Sequence, residues 1–305
     1  MISPTTSFDN EALKAIWIGA FNEVGVNDLD AEYYADTFLL HHRHHSGLAY
    51  REDGKIVSML FLIPCSWDGA AGYYVYACAT LPQCRGKGYM KALLDAAFEK
   101  AQDEKAFGLV LIPATPPLFD FYGKHGFQTF SHIAEHIFYE KDAVGDGFDC
   151  VKSYDVAMIA DLRNRFYEER FAVQFGFSHI RHIQNQMANE HGATFFFDTG
   201  EKSGYAFCLY NPLNRSVQVF EWAVISDDIN AKTQRIYAKD AVISRALHDD
   251  IPRFFKGICR YFDVPELWVR SRSGLSLGSE RPFSMVRLCA AKQIPEHTYF
   301  NLGMD

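Results

Sequence analysis

A chain of 305 residues with 48% apolar composition holds enough material for one large domain or two of ordinary size. Its formal net charge of -8 excludes a general nucleic-acid binder, which needs a basic surface to displace counterions, and suits a cationic small substrate. It has no run of about 18 apolar residues to cross a membrane, and MISPTTSFDNEALK lacks the charged-then-apolar order of a secretion signal, so a cytoplasmic protein is expected.

NEALKAIWIGAFNEVG (10–25) sets Leu13, Ile16, Trp17 and Phe21 at intervals of three and four, which predicts a helix. DLDAEYYADTFLLHH repeats the pattern behind Asp28 as a cap and predicts a second. The four histidines of HHRHH (41–45) are too crowded to converge on one ion and have no interleaved carboxylate. They are expected in a polar helix end or loop, with no metal. The period then shortens. In SGLAYREDGKIVSMLFLIPCSW, Glu52-Asp53-Gly54 separates two strand-like runs and predicts a hairpin, and GYYVYACATL (72–81) predicts another strand. Beyond Gly86 and Gly88, the residues Met90, Leu93, Leu94, Ala97, Phe98 and Ala101 share one helical face. FGLVLIPA (107–114) is short and nearly all apolar, as expected of a buried parallel strand. Such a strand, glycine loop, helix and strand form a right-handed crossover, with the ligand beyond the carboxyl ends of the strands.

The polar stretch KDAVGDGFDC (141–150) marks a boundary between domains at 1–142 and 150–305. The second half repeats the plan of the first. Helical stretches over 155–190 precede a strand pair around Gly200, the strand SVQVFEWAVI, a helix at PRFFKGICRYF and a strand at ELWVRSR. No glycine loop follows Ala223-Val224, where the chain reads ISDDINAKTQ, so this copy is expected to lack an anion site. Seven cysteines, an odd number without a C-x-x-C pair, are expected as reduced thiols.

The residues between the strand at 72–81 and its helix carry the chemistry. A helix start presents unpaired N–H groups and about half a positive charge. Helices commonly answer with Asp, Glu, Ser or Thr, but here the side chains are Arg85, Lys87 and Lys91. That arrangement makes sense if a phosphate supplies the negative charge, with Gly86 and Gly88 allowing close backbone approach. A glycine turn with solvated basic side chains is the other reading. A P-loop is excluded because Gly88, not Ser or Thr, follows Lys87. A dinucleotide fingerprint is excluded because Lys91 stands where a small residue is required.

TLPQCRGKGYMKALL resembles the acyl-CoA pyrophosphate loop of the GNAT superfamily of N-acetyltransferases, V-x-P-x-x-R-G-x-G-x-[GA]. Thr80 takes the Val position, Pro82, Arg85, Gly86 and Gly88 match, and Met90 departs from Gly or Ala. The later LVLIPATPPLFDFYGKHGF is similar to the superfamily's segment ending in Y-x-x-x-G-F, here Tyr122, Gly126 and Phe127. Thr115-Pro116-Pro117 replaces the usual Asn region. The two motifs lie within about residues 8–140. The resemblance implies an α/β fold with a mixed sheet: a GNAT fold in the N-terminal half and a degenerate GNAT-like second half. The whole is similar in plan to tandem members such as the enhanced-intracellular-survival family.

It further implies an acyl-CoA-dependent N-acyltransferase with acetyl-CoA as co-substrate. Cys78, Ala79 and Thr80 would offer backbone groups to the pantetheine arm. Arg85, Gly86, Lys87, Gly88, Tyr89 and Met90 would cradle the pyrophosphate. Tyr122 would protonate the leaving thiolate, since a phenol titrates near that range. The general base is not legible. The terminal carboxylate of Asp305 is a speculative candidate beside the plainer reading of a frayed or structural end. The expected partner is a small-molecule or peptide amine, without nucleic acid or membrane, and a homo-oligomer is compatible with these features. A non-catalytic acyl-CoA-binding or sensing protein is the alternative function.

Overall fold

The computed structural model describes residues 1–21, 39, 47–167, 172–189, 191–226, 245–272, 279–295 and 298–300. The chain forms two compact units, Met1–Thr129 with Ser284–Gln293 and Gly303–Asp305, and Phe130–Phe283 with Ile294–Leu302. The polar stretch 141–150, which composition marks as a boundary, lies inside the second unit.

The first unit opens with β1 (Ile2–Pro4) and α1 (Asn10–Phe21), which buries Leu13, Ile16 and Trp17 as their spacing requires. Then come β2 (Gly47–Glu52), β3 (Lys55–Trp67) and β4 (Ala70–Thr80), antiparallel in that order, with β1 antiparallel to β2. Asp53 and Gly54 turn the β2–β3 hairpin with φ of 48° and 79°, a pair that matches strand twist. α2 (Tyr89–Asp103) buries Leu93, Leu94, Ala97 and Ala101, and leads to β5 (Gly108–Leu111), which is buried throughout and parallel to β4. α3 (Pro116–Gly123) starts on two prolines, whose fixed φ suits a first turn and whose missing N–H groups need no partner there.

The second unit contains β6 (Gln128–Tyr139) from Phe130 onward, β7 (Val151–Lys152), α4 (Val156–Phe166), β8 (Gln174–Phe175) and α5 (Phe177–Asn189). The strands β9 (Ala193–Asp198), β10 (Lys202–Asn211) and β11 (Ser216–Ser226) form an antiparallel meander. α6 (Arg245–Phe262) leads to β12 (Glu266–Arg272), parallel to β11 and antiparallel to β6. Its core gathers Phe195, Phe197, Trp222, Phe254, Phe255 and Leu267. The expected repeat of a meander, a helix and a parallel strand is therefore present. The stretch after Ser226, where no glycine loop is expected, lies outside the described residues, as do the 28–42 helix (apart from Leu39) and the histidine run.

β13 (Ser279–Leu288) has its second half in the first unit, antiparallel to β5, with Arg287 opposite Leu109. The seven cysteines are free thiols, four of them buried.

Candidate functional site

β4 and β5 pair through only two positions, Tyr73 with Leu109 and Tyr74 with Val110. β4 then continues to Thr80 while β5 ends at Leu111. A bulge accompanies the separation: the β3–β4 register shifts between Met59 and Phe61, and Ala77 takes a φ of 50°. A bulge adds twist and turns backbone groups out of the ladder. Ser58 Oγ fixes the far end of β4 by donating to the Ala79 carbonyl at 3.0 Å and pairing with Thr80 Oγ1 at 2.8 Å.

Beyond Thr80 a single 3-10 turn, Pro82–Cys84, leads into the glycine loop. Gly86 and Gly88 have φ of 79° and 81°, the left-handed region where a side chain is strained. A Cβ built on either meets nothing within 4 Å, so the loop's outer side is open. Gly88 is the N-cap of α2, and it brings no side-chain bond to the helix end. The first backbone bond into the helix is Ala92 N–H to the Gly88 carbonyl, 3.0 Å, which leaves the N–H groups ahead of it without a helical acceptor.

The three basic side chains reach acceptors off the helix end. Arg85 Nε donates to the Thr80 carbonyl at 3.3 Å, Lys87 Nζ lies 3.3 Å from Glu52 Oε1, and Lys91 Nζ donates to Asp95 Oδ2 at 2.6 Å. Glu52, at the end of β2, also accepts from the Tyr89 hydroxyl, and Tyr89 stacks on Tyr50 with ring centres 4.3 Å apart. The Tyr89 hydroxyl and then Lys87 hold the Glu52 carboxyl below its ordinary range. Met90, where the resemblance leads one to expect Gly or Ala, is half-buried and packs against the core that includes Leu93 and Tyr122.

Tyr122 lies in α3, 7% exposed, with its ring edge-on to Phe121 and Phe127 at 5.2 and 5.7 Å. Its turn closes by His125 N–H and Phe127 N–H bonding to the Tyr122 carbonyl at 2.9 and 3.2 Å. The Tyr122 ring belongs to the core around Leu93 and Leu94, and Cys78 packs against that same core, near enough for each to shift the other's titration. Burial, then the Cys78 sulfur, pushes the phenol well above its usual value. Burial likewise pushes the Cys78 thiol up to about 12, against a smaller opposing effect of Tyr122.

Cys78, Ala79, Thr80, the loop from Arg85 to Met90, and Tyr122 all belong to the first unit. Asp305 lies outside the described residues. Sequence reasoning missed Glu52, which it absorbed into a turn, and Asp95, which reads as a solvated residue on a helix. It also missed Arg287, whose bond to Asp95 spans 192 positions and leaves no local signal. Among the described residues no group of three His, Cys, Asp or Glu is placed to hold a metal ion, and no helix is long and apolar enough to cross a membrane.

Residues 11–127 match the model of the Acetyltransferase (GNAT) family. No curated protein matches the chain in sequence. Among solved structures, it is similar to an Enterococcus faecalis V583 protein described as a probable N-acyltransferase, with a TM-score of 0.70, 14% identity and coverage of 95% of this chain and 72% of that one. It is also similar to a GCN5-related N-acetyltransferase from Anabaena variabilis, with a TM-score of 0.67, 13% identity and coverage of 95% and 73%. Eis1 from Mycobacterium abscessus is similar with a TM-score of 0.60, 12% identity and coverage of 95% and 74%. At these identities the likeness is one of fold, a mixed α/β arrangement followed over nearly the whole chain.

Proposed function

Because residues 11–127 match the model of the acetyltransferase (GNAT) family, we propose that the protein is an acyl-CoA-dependent N-acyltransferase carrying acetyl from acetyl-CoA to a primary amine. The observation that carries this reading is that Cys78 and Tyr122 pack in the same core cluster. It joins the splayed end of β4, assigned to the pantetheine arm, to the residue assigned to the thiol. The open left-handed glycines and the helix start without a side-chain cap fit a pyrophosphate at the same edge of the unit.

In this reading the thioester supplies the acetyl group: a neutral amine attacks its carbonyl, the C–S bond breaks, and the thiolate takes a proton. Backbone groups of Cys78, Ala79 and Thr80 align the arm, and those from Arg85 to Met90 hold the phosphates. Tyr122 keeps its proton at neutral pH because burial opposes the phenolate. The proton that the attacking amine gives up passes to water.

The acidic balance of the chain suits a cationic acceptor such as an aminoglycoside, a polyamine or a peptide N-terminus. The test is thiol release from acetyl-CoA against a panel of those amines, beside thermal unfolding with and without acetyl-CoA. Stabilisation of about 2.7 kcal/mol is expected at a hundred times the dissociation constant, with release for at least one amine class. Stabilisation without release for any amine would overturn catalysis in favour of sensing. Absence of both would overturn the reading altogether.

A further inference from the structure

The first unit takes its last strand from the far end of the chain, and that strand carries Arg287 to the helix that follows the glycine loop. Residues 285–288 pair with β5, from Met285 opposite Leu111 to Leu288 opposite Gly108. The approach is tight: a Cβ on Gly108, whose φ is 149°, would fall 2.2 Å from the Arg287 carbonyl oxygen. The Arg287 side chain makes two contacts within this unit and lies beside Gly126. Its Nη1 donates to Asp95 Oδ1 at 3.0 Å. Its guanidinium carbon lies 3.8 Å from the centre of the Phe98 ring. A Cβ on Gly126, which the glycine lacks, would stand 3.3 Å from the Arg287 Nε.

Asp95 and Phe98 stand three apart and so share one face of α2. Asp95 gives its other oxygen to Lys91 in the first turns of that helix. Gly126, with a φ of 82°, closes the turn that carries Tyr122 and leaves open the space the guanidinium occupies. We propose that Arg287 is a positioning residue of the acyl-CoA site, holding the start of α2 and the Tyr122 turn in one frame. This rests on the acetyltransferase reading. A planar guanidinium suits the task because it bonds in its plane and stacks on its face at once, which an ammonium does not. The frame matters because a displacement of about 1 Å between a bound substrate and its catalytic group costs on the order of a hundredfold in rate.

The test uses the full chain as wild type, Arg287→Met, Arg287→Lys, Asp95→Asn and the Arg287→Met/Asp95→Asn pair. Readouts are the acetyl-CoA dissociation constant by titration calorimetry, kcat and KM, and the ligand-free melting midpoint. For Arg287→Met, binding weakened by about tenfold and kcat lowered by about tenfold or more are expected, from displacements smaller than 1 Å. Arg287→Lys should fall between that variant and wild type. Adding Asp95→Asn to Arg287→Met should cause little further loss, since the two residues act through one bond. A folded Arg287→Met protein with a lower midpoint but wild-type dissociation constant and kcat would overturn the inference, leaving Arg287 as packing. If Arg287→Met does not fold, wild-type constants in both Arg287→Lys and Asp95→Asn overturn it. A wild-type protein that neither binds nor turns over acetyl-CoA overturns the acetyltransferase reading and this inference with it. Wild-type activity beside unaffected variants overturns this inference alone.

Discussion

Replacing Tyr122 by Phe separates chemistry from folding, because the ring stays and only the hydroxyl leaves. The edge contacts to Phe121 and Phe127 and the burial of the ring are retained. The group that most affects the hydroxyl besides burial is the Cys78 thiol, at most a weak hydrogen-bonding group, so unfolding free energy should change by less than about 1 kcal/mol. If the hydroxyl protonates the leaving thiolate, its removal should lower kcat by about 10² to 10³, or about 3 to 4 kcal/mol of transition-state stabilisation. Acetyl-CoA affinity should hold within about threefold, since the phosphates and the arm are assigned to backbone groups elsewhere. The assay is steady-state thiol release at saturating amine, beside acetyl-CoA titration and chemical denaturation of the same preparations. A kcat within about threefold of wild type would refute proton donation by Tyr122. So would a loss of turnover fully matched by loss of binding.

Gly88→Val places a β-branched residue at a φ of 81° and a side chain in the open space of the loop. It should cost about 1 to 2 kcal/mol in stability and weaken acetyl-CoA binding at least about tenfold, and wild-type binding would remove the loop from the site. Glu221→Gln should destabilise the protein by about 3 to 5 kcal/mol in denaturant unfolding, because it leaves the buried Arg163 guanidinium, 3.0 Å away, without its charge partner. Replacing both as Arg163→Met and Glu221→Leu should cost less, and the reverse order would contradict a buried charge as the cause. Asp9 is largely buried. Burial raises its pKa, but bonds from Arg51, the Thr6 N–H and the Thr6 hydroxyl outweigh that and hold it below its ordinary value. A depressed folded pKa gives stability that is fully present above the unfolded value of about 3.9 and lost as pH falls through the folded one. The melting midpoint of Asp9→Asn should therefore fall less than that of wild type below about pH 4, and parallel profiles would exclude Asp9 as a source of acid sensitivity.

Features carried by local spacing are legible in the amino-acid sequence. The stripe Leu13, Ile16 and Trp17 is buried as its period demands, and Glu52-Asp53-Gly54 turns the hairpin it signals. The apolar face from Met90 to Ala101 meets the core. The unusual charge before α2 and the Tyr122 turn are legible for the same reason, since each is a short motif whose parts act within one or two turns of chain. A unit boundary is a different kind of feature. The polar residues and glycines of 141–150 describe a loop equally well inside a unit as between two.

Sequence by itself determined the helices that begin at Asn10 and Tyr89, the hairpin of β2 and β3, the strands β4 and β5, and the glycine turn at Gly86 and Gly88 that opens α2. Tertiary structure alone decided that Cys78 and Tyr122 share one core, that Glu52 holds Lys87 and Tyr89, and that Arg287 returns from the far end of the chain to Asp95. The physical reason is range. Periodicity and turn chemistry act between neighbours, whereas strand order, the bulge at Ala77 and the pairing of β13 with β5 are settled by hydrogen bonds and packing between residues that no local pattern links.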